Sequence, residues 1–406
     1  MNWWREADPS AKRALIAGGL GWMLDSFDVS LYALVLPALM QSLSLDQTTA
    51  GSMQSVMLVA AAVGGLVFGV LADRWGRTRA LMLSVLLYSI FTAACGLAQT
   101  AAELAVFRIL LGLGMGGEWA SGAALVSETW PDEHRGKALG LMQSSWALGL
   151  ILAAIANWIV QDVFGWDWRA VFFIGVLPAL FTLWVQRRVE EPACWHKARS
   201  SGAPVSIRQA IGGPMLGITA ALSLMNACTL FGYWGFNTWV PSFLRAPAET
   251  GGVGLSNAMM NGFIIVNNIG MWLGYVTFGL IADAVGRKRS YVSYLLIASA
   301  LVLAYTSTRS PAVLLALGPV TAFFATGYFG GFGAVTAEIY PTAVRATAQG
   351  FTYNIGRIVS AFAPTLAGTI ARTHGYPAAL SLASAAFIAA AMFWFFIPET
   401  KGRRIQ

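Results

Sequence analysis

The chain of 406 residues is divided along most of its length into apolar runs, with charge gathered in the short stretches between them. A helix needs about 20 apolar residues to cross the hydrocarbon core of a bilayer. The runs lie near 14–40, 49–72, 80–99, 103–126, 137–160, 168–186, 214–244, 256–282, 290–307, 311–337, 346–371 and 376–397. In lipid every backbone polar group must find its partner within the protein, so runs this long have only the helix available. Composition agrees, with 57% hydrophobic and 11% charged residues, where soluble domains carry about a quarter charged residues. The expectation is an all-α integral membrane protein of about twelve transmembrane helices.

The net charge of +7 suggests nucleic acid at first sight, but the positions of Lys and Arg argue otherwise. They concentrate at the N-terminus, after the second, fourth, sixth, eighth and tenth runs, and in the tail, with few on the opposite side. That asymmetry predicts a cell (inner or plasma) membrane protein with both termini cytoplasmic. Its basic side faces anionic headgroups rather than nucleic acid. Cys95, Cys194 and Cys228 are too scattered for a disulfide framework or a metal site, so neither is expected. The polar start leads into a run too long for a signal sequence, which predicts that the first helix is retained.

A pattern also recurs. Gly69, Asp73, Gly76 and Arg77 return as Gly279, Asp283, Gly286 and Arg287, while Glu128, Pro131 and Arg135 return as Glu338, Pro341 and Arg345, all at one common offset. The duplication predicts two pseudo-symmetric six-helix bundles related by an axis along the membrane normal, with a site between them at the midplane. We place the first bundle at 1–186, a cytoplasmic linker at 187–213 and the second bundle at 214–406.

Asp25, Asp28, Arg108, Glu118 and Arg357 are the ionisable residues inside the runs. A charge at the centre of a membrane helix costs about 2.5–3.5 kcal/mol on insertion scales. The two aspartates, three residues apart, are expected on one helix face. The alternative, turn aspartates between two shorter soluble helices, fits the composition poorly. Burial favours protonation of a carboxylate, the property that proton coupling needs. Asp28, with Asp25 and Glu118, is therefore the expected proton carrier. Arg357 offers a planar fork matched to a carboxylate, against the plainer reading that it only pairs with an acid to hold the halves together. For Arg108 the structural reading, as a helix neighbour of Glu103, is favoured over substrate contact.

The loop from Gly69 to Arg79 and its second copy resemble the signature loops of the major facilitator superfamily, a resemblance that spans the whole chain. Asp25-Ser-Phe-Asp28, Gly112 to Trp119, Tyr353-Asn354-Ile-Gly356-Arg357 and Pro398 to Gly402 further resemble sialate and monocarboxylate (lactate-type) proton symporters. Asp-x-Phe-Asp patterns also occur among aromatic-acid symporters. Helix 7 departs from the fungal lactate members: Asn226, Thr229 and Thr238 fit their motif, while Leu230, Gly232, Tyr233 and Trp234 replace its polar centre.

The resemblance implies a monomeric transporter, not an enzyme, that imports a small organic anion with protons by alternating access, driven by the proton gradient without a cofactor. A monocarboxylate such as lactate or pyruvate is the expected substrate. An aromatic-acid symporter, a neutral sugar transporter and a drug or metabolite antiporter are the alternatives. Substrate contacts are expected from Arg357, Tyr353, Asn354, Arg108, Tyr233 and Asn268. A cytoplasmic gate is expected from Asp73, Arg77, Glu128, Arg135, Asp283, Arg287, Glu338 and Arg345, with Asp73 and Asp283 capping helices of the opposite half. The Gly-rich run from Gly112 to Gly117 has no βαβ context for a nucleotide site and is expected to pack helices closely.

Overall fold

The computed structural model describes residues 4–5, 7–191, 213–340 and 345–401. Most of the expected linker, with Cys194, Pro341 and the side chains of Asp73 and Arg345, lies outside the described residues. The helices are α1 Pro9–Ser42, α2 Gln47–Trp75, α3 Arg77–Cys95, α4 Ala101–Thr129 and α5 Asp132–Trp158, the last running into a π-helical turn at Ile159–Val163. The helix α6 is made of Trp168–Ile174 and Pro178–Arg188. The second half holds α7 Leu216–Arg245, α8 Asn257–Val285 and α9 Arg287–Ser307, then α10 Pro311–Thr326 extended by Gly327–Gly331 and Phe332–Ile339. It ends with α11, made of Arg345–Ser360 and Ala363–His374, and α12 Tyr376–Phe393.

Among the described residues, 11 helices are long and apolar enough to cross a membrane; α11, in two pieces, completes the set. Three runs that read as single helices are thus interrupted. Pro178 and Pro364 stand at the starts of the second pieces of α6 and α11, where the missing N–H costs nothing but the preceding helix cannot continue. In α10 the glycines at 327, 330 and 331 tighten the chain into a 3₁₀ turn.

Local chemistry sets several helix starts. The side chains of Asp46, Thr100 and Ser256 accept from the backbone N–H of Thr49, Glu103 and Met259 at 2.8, 3.2 and 3.2 Å, satisfying donors that the first helical turn leaves open. The repeated corners are built alike. Gly76 has φ 114° and ψ 152°, Gly286 has φ 116° and ψ 151°, a region essentially restricted to glycine. Glu191, just past α6, accepts from the N–H of Arg77 at 2.7 Å, and Glu399, past α12, accepts from that of Arg287 at 2.9 Å. A carboxylate at a helix N-terminus also suits the macrodipole.

Packing follows the duplication. In the first half α2 lies on α4 and α1 on α5; in the second α8 lies on α10 and α7 on α11. Between the halves α2 meets α11 and α5 meets α8, contacts that exchange under a two-fold axis. Small residues allow the closest approaches: a Cβ on Gly112 or Gly116 would run into the α2 backbone at Met57 and Ala61. Large apolar side chains such as Leu66, Leu180 and Leu280 remain exposed on the outside, the surface that lipid covers.

Candidate functional site: a buried charge cluster between the halves

The central acids are all buried: Asp25 and Asp28 are 1% exposed and Glu118 is fully enclosed. The two aspartates, which their spacing puts on one face, have different neighbours. Asp28 Oδ2 accepts from the hydroxyl of Thr92 on α3 at 3.0 Å, within its own half. The charge of Arg357, from the second half, acts on Asp25 and on Glu118. A spacing of three leaves the two positions about 60° apart around the helix, close enough to share a face while their carboxyls meet different neighbours. Glu118 leans on α1 one turn before Asp25, at Gly21, where an added Cβ would lie 2.5 Å from Oε1. One oxygen of each aspartate and both of Glu118 are buried without a hydrogen-bond donor among the described residues.

Arg357 comes from the middle of α11 and is 3% exposed. Among the described residues no side chain forms an ion pair with it, and its recorded contact is the ring of Tyr353, 5.8 Å away. Tyr353 stacks on Trp119 of α4, centroids 4.5 Å apart and planes at 12°, so an aromatic pair spans the two halves beside the guanidinium. Asn354 donates to the Gly350 carbonyl at 2.9 Å and faces Gly65 of α2.

A cavity of about 40 Å³ opens between α1, α2, α5, α7 and α8, with Ser30, Gln54, Tyr233, Asn237 and Asn268 on its wall. That volume holds two or three waters at about 10–15 Å³ each. The indole of Trp146 donates to the Tyr233 hydroxyl at 2.6 Å, joining α5 to α7. Of the expected substrate contacts, Tyr233 and Asn268 line this cavity while Tyr353 and Asn354 sit with Arg357.

Arg108 belongs to neither group. It does not pair with Glu103, whose carboxylate accepts from the backbone N–H of Gln99 at 2.8 Å. Its guanidinium covers the ring of Tyr32 at 3.8 Å and donates to the Met53 carbonyl at 3.1 Å and to Gln54 Oε1. The reading as a partner of Glu103 is therefore corrected: Arg108 reaches across to α1 and α2, where its long side chain finds an aromatic face and two acceptors.

At the basic end of the bundle Arg77 meets Glu128 and Arg287 meets Glu338, both at 2.9 Å. These pairs form within each half. Asp283 pairs with Arg287 at 2.6 Å and so does not cap a helix of the opposite half; the sharp Gly286 corner brings the two side chains together. Arg135, near the start of α5, is also engaged. Contacts across the halves gather at the far end. There Arg372 meets Asp46 at 2.6 Å, Thr365 meets Ser55 at 2.7 Å, Asn157 meets Asn261 at 3.0 Å and Asn257 meets Asp162 at 2.6 Å. The halves are clasped at the end opposite the basic corners.

Sequence reasoning missed Thr92, Gln54 and the capping role of Glu191. Thr92 and Gln54 look like ordinary helix residues until tertiary contacts are known. Glu191 and Glu399 were legible in principle, each next to a proline after the last helix of its half, but they fall two positions short of the common offset.

The geometry has its counterparts among known proteins. The model of the Major Facilitator Superfamily matches residues 19–271 and 222–406. A Cupriavidus pinatubonensis protein named "Probable 4-methylmuconolactone transporter" is 32% identical, over 100% of this chain and 94% of that one. The Escherichia coli sialic acid transporter NanX is 28% identical (95% and 94% covered), and the cis,cis-muconate transport protein of Acinetobacter baylyi 29% (89% and 87%). These relatives are named as transporters, not enzymes. The crystal structure of a D-xylose-proton symporter overlays with a TM-score of 0.77 at 19% identity, covering 97% of this chain and 99% of that one. The chain is a multi-pass membrane transporter and belongs to the Major Facilitator Superfamily.

Proposed function

We propose that the protein imports a small organic anion together with protons by alternating access. The observation that carries this reading is Arg357, a buried cation with no ion-pair partner among the described residues, whose charge acts on the buried acids Asp25 and Glu118. A guanidinium so placed offers a substrate carboxylate a bidentate partner in a site of low polarity. An arriving anion competes with Asp25 and Glu118 for the one cation, and an acid that loses its counter-charge takes up a proton. Anion and proton therefore enter the site together. Asp28, one turn on and held by Thr92, extends the acid chain and is assigned with Asp25 and Glu118 to the proton path.

The names of the relatives, for sialic acid, cis,cis-muconate and a muconolactone, support an organic acid as substrate. A monocarboxylate of the lactate or pyruvate type is the simplest acid that one arginine would hold. The Trp119–Tyr353 stack beside Arg357 favours a second reading, a flat aromatic or conjugated acid. The protein works as a monomer in the cell membrane with the basic end and both termini cytoplasmic, the contacts at the far end closing the external side. The segment 187–213 links two rocking halves, and no cofactor takes part.

Uptake into proteoliposomes tests this: lactate, pyruvate, benzoate, sialate, cis,cis-muconate and glucose, with and without an inward proton gradient. Accumulation of at least one acid that depends on the gradient is expected. Transport of glucose alone, or gradient-driven export of a cationic dye, would overturn the reading.

A further inference from the structure

The cavity at the far side of the charge cluster has a hydrogen-bonding polarity of its own. Gln54 Oε1 is taken by the Arg108 guanidinium, which leaves the amide N–H₂ as the group that Gln54 offers to the cavity it lines. The two asparagines on its wall add acceptors. Asn237 spends one donor on the Tyr233 carbonyl at 3.2 Å and Asn268 one on the Ile264 carbonyl at 2.8 Å, and the Oδ1 of each has no partner among the described residues. Ser30 gives its hydrogen to the Ser26 carbonyl, so it too can only accept. Unpaired donors and acceptors thus both face the cavity: the two Oδ1 atoms and the Ser30 oxygen accept, while the Gln54 amide and the second N–H of each asparagine donate. Tyr233 adds a further donor, since its oxygen accepts from Trp146 and its own hydrogen remains free.

We propose that this cavity is a subsite for the hydroxyl-bearing end of the transported acid, so that the substrate class is a hydroxy acid. A hydroxyl is the smallest group that accepts from Gln54 while donating to an asparagine oxygen. An alkyl or unsubstituted ring edge in the same place would leave these buried amide groups unpaired, and such a loss is what lets a polar site reject a substrate lacking the matching group. Arg108 is a positioning residue here: it touches no substrate and acts by holding Gln54 in the donating orientation. The inference rests on the acid-transport reading above and deepens it.

The test uses the full chain in proteoliposomes and matched pairs of acids that differ by one hydroxyl: lactate against propionate, 2-hydroxybutyrate against butyrate, and 3-hydroxybenzoate against benzoate. The wild type is expected to favour the hydroxylated member of at least one pair by about tenfold or more in KM. Asn268→Leu and Asn237→Leu are expected to bring that ratio toward one. Gln54→Glu keeps a partner for Arg108 but replaces the donor by an acceptor, and is expected to lower the ratio as well; Arg108→Lys, which loses the fork, should raise KM for the hydroxy acid more than it lowers kcat. Each variant is checked for a single symmetric peak on gel filtration before use. Acid transport with no hydroxyl preference, or variants that slow both members of a pair equally, would overturn the subsite while leaving acid transport standing. If no acid is transported, the broader reading has failed and the subsite with it.

Discussion

At the scale of single residues, the site turns on charges whose partners come from other helices. Arg357→Lys retains the cation but loses the planar fork. We expect a KM for the transported acid raised about tenfold or more, measured as initial uptake under a proton gradient. Asp28→Asn is expected to abolish gradient-driven accumulation while anion exchange persists; unchanged accumulation would remove Asp28 from the proton path. Asp25, Asp28, Glu118 and Arg357 stand out in the sequence because charge is expensive inside an apolar run. Their pairing was not legible. The Asp25–Asp28 spacing predicts a shared face but not that Thr92 holds one carboxyl within the first half while the charge of Arg357, from the second half, acts on the other. Nothing in the neighbourhood of Thr92 along the chain marks it out among the other threonines of the helices.

At the scale of elements, the duplicated corners are the most constrained local structures. Gly76→Ala and Gly286→Ala each force a side chain into a glycine region and toward the carboxylate of Glu191 or Glu399. Each is expected to cost about 1–3 kcal/mol, visible as a lower Tm in detergent. Glu399 adds a pH dependence. Partial burial works against its charge, but the backbone N–H groups of Lys401, Arg287, Lys288 and Thr400 outweigh that and hold its pKa below the ordinary glutamate value. With the folded pKa lowered, its stabilisation is present above the unfolded glutamate value of about 4.3 and is lost as pH falls through the folded pKa. A Tm profile over acid pH should therefore be shallower in Glu399→Gln than in the wild type. The existence of these corners was readable from the repeat, because only glycine serves there and its spacing is preserved. The breaks in α10 and α11 were less so, since apolar content alone does not register a prolyl or glycyl interruption.

For the molecule as a whole, the clasp at the far end, where α2 meets α11 and α5 meets α8, defines the state. Ser55 and Thr365 touch through their hydroxyls across the halves at 2.7 Å. In a background with Cys95, Cys194 and Cys228 replaced, Ser55→Cys with Thr365→Cys is expected to cross-link under mild oxidation and stop transport, with recovery on reduction. Full transport by the cross-linked protein would mean that the clasp need not open. Asp46, whose pKa is held low by the hydroxyl and N–H of Thr49 and by Arg372, keeps its charge in that clasp well into acid. The sequence by itself determined the membrane-spanning helices, the duplication and the identity of the buried charges, because hydropathy, glycine geometry and the cost of desolvation act on residues one at a time or at fixed spacing. The tertiary structure alone decided which acids the charge of Arg357 acts on, which amide groups donate or accept in the cavity, and which end is closed. Those outcomes depend on contacts between helices distant in the chain, and a side chain's partners across such an interface leave no periodic trace in the residues beside it.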